Sequence, residues 1–319
     1  MDGGGVPPVL TGALLAALRT KGETVVEITA AARAMRARAA RVSSSRAPLI
    51  DTCGTGGDFS MTFNVSTAAA LVAVAAGAAV AKHGNRAASS RCGSADVLEA
   101  AGVAVDLGPE PSGRVLDRAG IAFLLAPNFH PATRHAALPR REIRIRTVFN
   151  LLGPLTNPAG VRRQVIGVPD EALAGPVAET LRELGTDHAM VVSGLDGMDE
   201  ISVSAPSVVV TVRDGETSRR EVAPKELGLG RHDRAELAGG DAGENAGILR
   251  RILEGEGSAA QRDFVAVNAA AALVVAGVAP DLGEGVRAAR DLIDAGAGAE
   301  ALDRLIAVSR EEAGKGTPR

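Results

Sequence analysis

A glycine-rich segment in the first quarter of the chain has the composition of a phosphate-binding loop. It reads Asp51-Thr-Cys-Gly-Thr-Gly-Gly-Asp58 and is followed by Thr62-Phe-Asn-Val-Ser-Thr67. Glycines between a strand and a helix let backbone amides approach an anion closely. Hydroxyls at the start of the helix add donors where the helix dipole favours phosphate. The spacing fits neither GxGxxG, whose third glycine would fall on Phe59, nor a Walker loop. A tight turn without a ligand is the structural alternative.

A second polar segment, Lys82-His-Gly-Asn-Arg-Ala-Ala-Ser-Ser90, follows an apolar strand pattern and leads to Gly93-Ser94. It therefore lies at the carboxyl edge of a predicted sheet, where α/β proteins bind their ligands. Its lysine and arginine could neutralise phosphate, and its serines, with Ser94, could donate hydrogen bonds to phosphate oxygens. A solvated basic loop is the alternative.

An acidic turn, Asp196-Gly-Met-Asp199-Glu200, follows the strand pattern Ala189–Ser193. Adjacent carboxylates repel each other, and a Mg²⁺ ion would relieve that repulsion. Mg²⁺ is usually held by one or two carboxylates, with substrate phosphates and water completing its coordination. An exposed acidic turn is the commoner explanation of such a pattern taken alone.

Arginines are concentrated between Phe129 and Pro158. The segment contains His130, the pair Arg140-Arg141, and Arg146 at the start of RTVFNLLGPLTNP. An arginine here could pair bidentately with a substrate carboxylate. A charged helix face is the alternative.

The elements that must position these segments alternate between strand and helix. The predicted strands are Leu49–Thr52, Ala79–Lys82, Val103–Val105, Ile121–Leu125, Gln164–Val168 and Ala189–Ser193. The predicted helices between them are Thr67–Ala76, Ala95–Ala101, Pro111–Arg118 and Asp170–Leu184. This alternation predicts an α/β fold with a mostly parallel sheet.

Three further regions flank or interrupt the alternating pattern. Two helices come first, Leu10–Thr20 and Val25 to about Ala40, and Thr24 and Glu27 form a capping box at the second. Residues 204–222 predict a hairpin that turns at Asp214-Gly215. The last third predicts alanine-rich helices, notably Ser258–Ala276 and Leu282–Ala295.

Composition narrows the class of protein. The 319 residues are 46% hydrophobic and contain no Trp or Tyr and six Phe, so Ala, Val and Leu must fill the core through close helix packing. A net charge of −3 argues against a general nucleic-acid binder. Cys53 and Cys92 make neither a disulfide framework nor a zinc site. The N-terminus has no signal pattern, and the longest apolar run, 264–279, is too short to span a bilayer comfortably. We therefore expect a cytoplasmic enzyme.

In combination, these segments resemble the anthranilate phosphoribosyltransferase family. The likeness runs in order from about residue 11 to residue 305, on the motifs GTGGD, TFNVST, KHGNRAASS, GSADVLEAAG, FLLAPNFHPATRHA, RTVFNLLGPLTNPAG, GMDE and GGDAGENA. The resemblance implies a small helical domain, residues 1–45 with about 129–148 packed on it. It implies a large α/β domain of the nucleoside phosphorylase/phosphoribosyltransferase type, residues 46–128 and 149–319. The active site would lie between the two domains, and the protein would be a homodimer associating through the helical domain.

The resemblance also implies site residues. Those expected to bind phosphoribosyl pyrophosphate (PRPP) are Gly54, Gly57, Asp58, Thr62, Asn64, Val65, Ser66, Thr67, Lys82, His83, Gly84, Asn85, Arg86, Ala87, Ala88, Ser89, Ser90 and Ser94. Ser66, Asp199 and Glu200 would bind Mg²⁺, with two ions per subunit. Gly54, Asn85 and Arg140 would contact anthranilate, with His83 and His130 nearby.

Three departures from the family pattern bear on these expectations. A helical stretch that usually precedes Leu10 is missing, which affects the expected dimer contact. Phe59 replaces a frequent glycine. Thr133 stands where a Met or an aromatic residue is usual near the acceptor pocket, which could change the fit of the aromatic ring.

The implied reaction is substitution at C1 of PRPP by the amine of anthranilate, a step of tryptophan biosynthesis that releases pyrophosphate. Metal, Lys82 and loop amides would stabilise the leaving charge. The aryl amine is neutral at pH 7, so no residue is expected to act as a general acid or base. Lys82, His83, Asn85 and Arg140 would position the substrates. The alternatives are a substituted aminobenzoate or another acceptor in a specialised pathway, nucleoside phosphorolysis, and a catalytically silent nucleic-acid-binding relative.

Overall fold

A mostly parallel seven-stranded sheet organises the protein, as the alternating pattern predicts. The computed structural model describes residues 6–58, 61–87 and 91–315. Its strands are β1 Leu49–Thr52, β2 Ala79–Gly84, β3 Ile121–Leu125, β4 Arg163–Gly167, β5 His188–Gly194, β6 Ser207–Arg213 and β7 Glu216–Val222. They lie in the order β3-β2-β1-β4-β5-β6-β7, and the first five in that order are parallel. Strands β6 and β7 continue the sheet as an antiparallel hairpin. Its turn residues, Asp214 and Gly215, both have positive φ, which matches the right-handed twist of the strands.

Helices cover both faces of the sheet. They are α1 Pro8–Lys21, α2 Val25–Arg38, α3 Val65–Ala75, α4 Ser94–Ala100, α5 Pro109–Ala119, α6 Ala126–Phe129, α7 Arg134–Ile143, α8 Val148–Leu155, α9 Ala174–Glu183, α10 Ala242–Leu253, α11 Ala259–Ala276, α12 Leu282–Asp294 and α13 Ala297–Lys315. Helix α2 begins with the predicted capping box, in which the Thr24 hydroxyl accepts from the Glu27 amide and the Glu27 carboxylate accepts from the Thr24 amide. Helix α3 begins at Val65, two residues before the predicted start.

One predicted strand, Val103–Val105, is wrong. Its alternating burial is real, since Val103, Val105 and Leu107 all point into the core. However, the Ala104 amide donates to the Ser309 hydroxyl of α13 at 3.1 Å, so a helix side chain takes the place of a neighbouring strand. The segment is an extended connection between α4 and α5.

Each face of the sheet has its own apolar core. Helices α3, α11, α12 and α13 pack on one face through small and β-branched side chains. On the opposite face, Leu15 of α1 and Ile28 of α2 join a second core with α8, α9 and strands β4 to β6. The apolar helix α11 is the one candidate membrane span among the described residues by length and composition, and 78% of it is buried inside the protein.

The alanine-rich core depends on close helix approach, and Gly285 of α12 lies at a close crossing with α11. A Cβ at Gly285 would lie 2.9 Å from the Ala270 Cβ and 3.0 Å from its Cα. Neither atom can move away without shifting the backbone of α11.

We predict that Gly285→Ala lowers the free energy of unfolding by about 1–3 kcal/mol, because it overpacks this crossing. Gly175→Ala in α9 is the matched control, since nothing lies within 4 Å of its Cβ position. There we expect no loss, or a gain of up to about 1 kcal/mol from helix propensity. Urea unfolding measures both variants. Equal effects would show that α11 and α12 are not in close contact.

Candidate active site

The segments singled out in the sequence converge at the carboxyl ends of the parallel strands. Strand β1 leads into the glycine loop 53–58, β2 into the basic loop that begins at Asn85, and β5 into the acidic turn 195–200. Because β1 lies between β2 and β4, the glycine loop is at the centre of this edge. This is the position at which open α/β sheets bind ligands.

Backbone amides of the glycine loop bond the acidic turn and the end of β4. The Gly56 amide donates to Asp199 Oδ2 at 2.8 Å, and the Thr55 amide donates to the Gly167 carbonyl at 2.9 Å. A Cβ at Gly54 would lie 2.8 Å from Asp199 Oδ2. Gly54 therefore has a steric reason to be glycine, independent of any ligand.

Gly167, at the end of β4, was not predicted as part of the site. A Cβ at this position would overlap the backbone carbonyl of Asp199, so the acidic turn packs directly on the end of the strand. The available signal was a glycine at the end of an apolar strand, which often marks a close approach of another backbone.

The acidic turn places two carboxylates where ionisation is unfavourable. Asp199 and Glu200 are partly buried. Desolvation raises the pKa of Asp199, and the nearby charge of Asp58 raises it further. The pKa of Glu200 is also raised well above its ordinary value, by desolvation and then by the charge of Asp199. In the same turn, Asp196 Oδ2 accepts a hydrogen bond from the Ser202 hydroxyl at 2.7 Å.

A small cavity beside Glu200 matches the needs of a single cation. Its volume is about 10 Å³, roughly enough for one water-sized sphere. Ser66, Gly54 and Asn268 line it together with Glu200. Among the described residues, no three His, Cys, Asp or Glu side chains form a complete metal-binding group. A cation here would therefore need ligands from a substrate, which is the usual mode for Mg²⁺.

Lys82 lies beneath the glycine loop. It is 1% exposed, and its Nζ donates to the Thr52 carbonyl at 2.8 Å and approaches Ser66 Oγ at 3.4 Å. Its charge lowers the pKa of Glu200 and of the buried Asp51, although burial as the larger effect still holds the pKa of Asp51 at about 6. Lys82 thus places a buried positive charge next to Ser66.

The basic loop is held by Asp96 at the start of α4. Asp96 Oδ2 accepts from the amides of Ala87 and Gly93, at 2.8 and 2.9 Å. The guanidinium of Arg86 pairs with Glu99 at 2.6 Å and lies 3.3 Å from Asp96. Arg86 therefore already has anionic partners, which the sequence did not reveal. The predicted residues Ala88, Ser89 and Ser90, and the variable position Phe59, lie outside the described residues.

Asn64, directly before α3, connects this helix with the basic loop and with α10. Its Nδ2 donates to the Cys92 carbonyl at 3.2 Å, and its Oδ1 accepts from Asn245 Nδ2 at 3.0 Å. Thr62 pairs with Ala238 in an antiparallel bridge. The GGDAGENA motif thus supports the start of α3. By contrast, the Thr67 hydroxyl at that helix start is buried without a partner among the described residues.

Two buried histidines, His83 and His130, lie side by side with ring centroids 5.2 Å apart. Burial lowers the pKa of His83 to about 3 and lowers that of His130 as well, so both are neutral at physiological pH. His83 Nδ1 lies 2.9 Å from the Gly153 carbonyl and must carry the proton, because a carbonyl only accepts. The Nε2 atom of each ring is buried without a partner in the described part of the chain.

Two arginines of the arginine-rich segment occupy different environments. The guanidinium of Arg140 lies over the Phe149 ring, 5.1 Å from its centroid. Phe149, His130 and Thr133 border an apolar cavity of about 220 Å³ between α1, α2 and α8. Arg146 instead reaches the glycine loop, where its Nη1 donates to the Gly56 carbonyl at 2.7 Å. Arg146 was not among the predicted site residues, since its sequence neighbours give no sign of this long-range contact.

Comparison with known proteins accounts for this arrangement. The family profile described as glycosyl transferase family, a/b domain, matches residues 46–299, and the one described as glycosyl transferase family, helical bundle domain, matches residues 1–39. An anthranilate phosphoribosyltransferase from Rubrobacter xylanophilus is 55% identical over 98% of this chain and 91% of its own length. The chain belongs to the anthranilate phosphoribosyltransferase family.

Solved structures of anthranilate phosphoribosyltransferases superpose on most of the chain. The enzyme from Thermus thermophilus is 47% identical, with a TM-score of 0.90 over 96% of this chain and 91% of its own. The Saccharomyces cerevisiae enzyme in complex with PRPP and Mg is 28% identical, with a TM-score of 0.86 over 95% and 86%. The yeast enzyme is also known in complex with 4-fluoroanthranilate, at 27% identity and the same TM-score over 95% and 86%.

The close approach of Arg146 to Gly57 predicts that substitutions at these two positions are energetically coupled. Gly57 has φ +82°, and a Cβ there would coincide with Arg146 Nη1, whereas nothing lies within 4 Å of a Cβ at Gly56, whose φ is +63°. Gly57→Ala must therefore displace the guanidinium from the Gly56 carbonyl, in addition to the strain of a left-handed alanine.

We predict that Gly57→Ala costs about 1 kcal/mol more in the native background than in Arg146→Ala, because one hydrogen bond is lost only in the former. Gly56→Ala should cost the same in both backgrounds. Urea unfolding of the two double-mutant cycles measures these energies. Additive effects at Gly57 would show that Arg146 does not contact the loop.

Proposed function

We propose that this protein transfers the 5-phosphoribosyl group of PRPP to the amino group of anthranilate, giving N-(5-phosphoribosyl)anthranilate and pyrophosphate in tryptophan biosynthesis. The observation that carries the proposal is one edge of the sheet, where a glycine loop, a buried lysine and two carboxylates of raised pKa meet. A relative that binds PRPP and Mg and a relative that binds 4-fluoroanthranilate support the choice of substrates.

The PRPP site is proposed to consist of the glycine loop, the start of α3 and the basic loop. It includes the residues expected from the sequence between Gly54 and Thr67, those between Lys82 and Ser90, and Ser94. The contacts refine how two of them act. Because Asn64 and Arg86 already have side-chain partners, we assign Asn64 to shaping the loop and Arg86 to holding α4, with backbone amides left for phosphate.

Ser66, Asp199 and Glu200 are the proposed residues for Mg²⁺, with two ions per subunit. The raised pKa values of the two carboxylates and the cavity shared by Ser66 and Glu200 fit a divalent cation. When bound, Mg²⁺ would supply positive charge to the pyrophosphate leaving group. Lys82 adds fixed positive charge from beneath the loop, already oriented before the substrate arrives.

The remaining chemistry requires positioning rather than a strong general base. The amine of anthranilate is neutral at physiological pH and its lone pair attacks C1 of the ribose, while the C1–O bond to pyrophosphate breaks and carries the bonding pair to the leaving group. The arylammonium formed is strongly acidic and loses one proton to water or to the released pyrophosphate. The two histidines are neutral and their Nε2 atoms can accept a hydrogen bond from the amine. Holding both substrates in line accounts for much of the rate enhancement in such a site.

A fluorescence assay tests the proposal directly. Purified protein is given Mg²⁺, PRPP and a panel of aminobenzoates, and the loss of acceptor fluorescence is followed. Fastest turnover is expected with anthranilate. Faster turnover of a substituted aminobenzoate would favour the specialised acceptor, for which Thr133 beside the apolar cavity would be the reason. No transfer to any acceptor would refute the proposed function.

Asp199→Asn with Glu200→Gln is predicted to abolish turnover at ordinary Mg²⁺ while the protein remains folded, because the leaving pyrophosphate then lacks its metal. Asp196→Asn is the matched control in the same turn, since Asp196 Oδ2 accepts from the Ser202 hydroxyl, a bond that an asparagine oxygen can keep. Steady-state rates over a Mg²⁺ titration provide the measurement. A near-normal rate for the double variant would contradict the metal assignment.

Arg140 is proposed to face the anthranilate carboxylate, together with Asn85 and Gly54. A charge-assisted hydrogen bond contributes about 1.5–3 kcal/mol, or roughly 10- to 150-fold in affinity. Arg140→Ala should therefore raise the KM for anthranilate by about that factor and change the KM for PRPP little. Arg141 is exposed beside Glu142, and Arg141→Ala should leave both values unchanged. The reverse pattern would mean that Arg141 binds the carboxylate.

We also propose a cytoplasmic homodimer that associates through the helical domain, residues 1–45 with 129–148 packed on it. Two observations support this. Val9, Leu10 and Leu14 leave half or more of their surface exposed along α1, and Gly12 lies against Pro139 and Ile143 of α7. Sedimentation velocity at micromolar concentration tests the association, and a monomer would refute it.

A further inference from the structure

Asn268 is a buried amide in the middle of the apolar helix α11. It is 3% exposed, and the residues on either side of it in the helix, Val267 and Ala269, are fully buried. Burying an amide is unfavourable unless its hydrogen bonds are replaced. Asn268 has a partner for its oxygen and for both of its amide hydrogens, which makes the identity of those partners informative.

Two of the three hydrogen bonds of Asn268 go to Ile201, the residue that follows the acidic turn. Its Oδ1 accepts from the Ile201 amide at 3.0 Å, and its Nδ2 donates to the Ile201 carbonyl at 3.0 Å. A further bond runs from Nδ2 to the Phe264 carbonyl at 2.9 Å, one turn earlier in α11. Because Ile201 lies outside every helix and strand, the Asn268 side chain takes the place that a neighbouring strand would fill.

Ile201, whose amide and carbonyl both bond Asn268, directly follows Glu200. Fixing both the amide and the carbonyl of Ile201 fixes the peptide that carries the Glu200 side chain, and helix α11 is itself packed against β1 and β4. Asn268 also lines the 10 Å³ cavity that Glu200 shares with Ser66. The same amide therefore anchors the backbone behind the carboxylate and closes the back of its cavity.

We propose that Asn268 is a positioning residue for the divalent cation, acting through Ile201 to hold Glu200 in its ligating position. The inference rests on the proposed function, since it concerns the cation that the proposed reaction uses. Residues that orient metal ligands in this way commonly change metal affinity or activity by about 10- to 100-fold when they are replaced.

Asn268→Thr removes the hydrogen bonds to Ile201 while keeping a side chain that suits the helix. Threonine is close to asparagine in volume and in helix propensity, and its hydroxyl can bond the carbonyl of residue 264 within the helix. It is too short to reach both groups of Ile201. We expect the variant to bind Mn²⁺ about 10- to 100-fold more weakly, as measured by electron paramagnetic resonance at constant pyrophosphate against a protein-free blank. The Mg²⁺ concentration for half-maximal turnover should rise by a similar factor, with little change in the rate at saturating Mg²⁺.

Gln164→Met is the matched control for loss of a buried amide. Gln164 is fully buried in β4 and donates to the Pro154 carbonyl at 2.8 Å, on the opposite face of the sheet from α11. This variant should lower the melting temperature and leave Mn²⁺ affinity unchanged. If Asn268→Thr does not fold, Asn268→Ser, which is smaller, replaces it in the same measurements.

Unchanged Mn²⁺ affinity in a folded Asn268 variant would overturn the inference, as would an equal loss in Gln164→Met. The proposed function fails separately, when the native protein transfers no phosphoribosyl group at any Mg²⁺ concentration. The Mn²⁺ measurement involves no acceptor, so the two failures are distinguishable.

Discussion

Three carboxylates converge at the carboxyl edge of the sheet, and much of the surrounding structure restrains them. Desolvation raises the pKa values of Asp199 and Glu200, the charge of Asp58 raises both further, and the charge of Asp199 adds to the effect at Glu200. Left to themselves, such groups would move apart or into solvent. Instead the Gly56 amide holds Asp199 from one side, the end of β4 supports its backbone at Gly167, and Lys82 offsets the charge from below. The fold therefore offsets the repulsion among these carboxylates before any ligand binds.

The glycines of this edge act sterically as much as through their amides. The absence of a side chain at Gly54 and Gly167 leaves room for the acidic turn, and its absence at Gly57 leaves room for the guanidinium of Arg146. Each contact joins segments that are distant in sequence. The phosphate-loop interpretation of GTGGD therefore explains only part of the requirement for glycine, and the rest comes from close packing between β4, the glycine loop and the arginine-rich segment.

The local sequence pattern predicted the fold well, because strand periodicity, helix periodicity and capping pairs all involve residues that are close together in the sequence. Thr24 with Glu27, and Asp214 with Gly215, are of this kind. Val103–Val105 shows the limit: the alternation correctly predicts burial, but the partner of the Ala104 amide is a side chain some two hundred positions away. Burial has a periodic signature, whereas the choice of hydrogen-bond partner does not.

The same limit applied to the candidate site. The sequence predicted which segments meet there, because strand ends share an edge. It predicted that Lys82 and Arg86 neutralise phosphate, but it did not predict that the Lys82 ammonium is buried or that the Arg86 guanidinium pairs with Glu99. Gly167, Arg146 and Asn268 were missed, since each acts through a partner that only the fold brings near. Side-chain roles depend on tertiary partners, which spacing alone does not encode.

Asn268 was nevertheless visible in the sequence as a polar interruption of the longest apolar run. An apolar residue there would suit the helix and its core, and the asparagine is accommodated only because Ile201 and Phe264 satisfy its amide. Natural sequences tend to depart from local rules where function requires it. The buried Asp51, Lys82 and His83 are departures of the same kind, and all three belong to the same edge of the sheet. Burial of a polar residue does not by itself mark the site, since Gln164 of β4 is fully buried and bonds the Pro154 carbonyl on the opposite face of the sheet from α11. The partner is what distinguishes Asn268, because Ile201 directly follows the acidic residues of this edge.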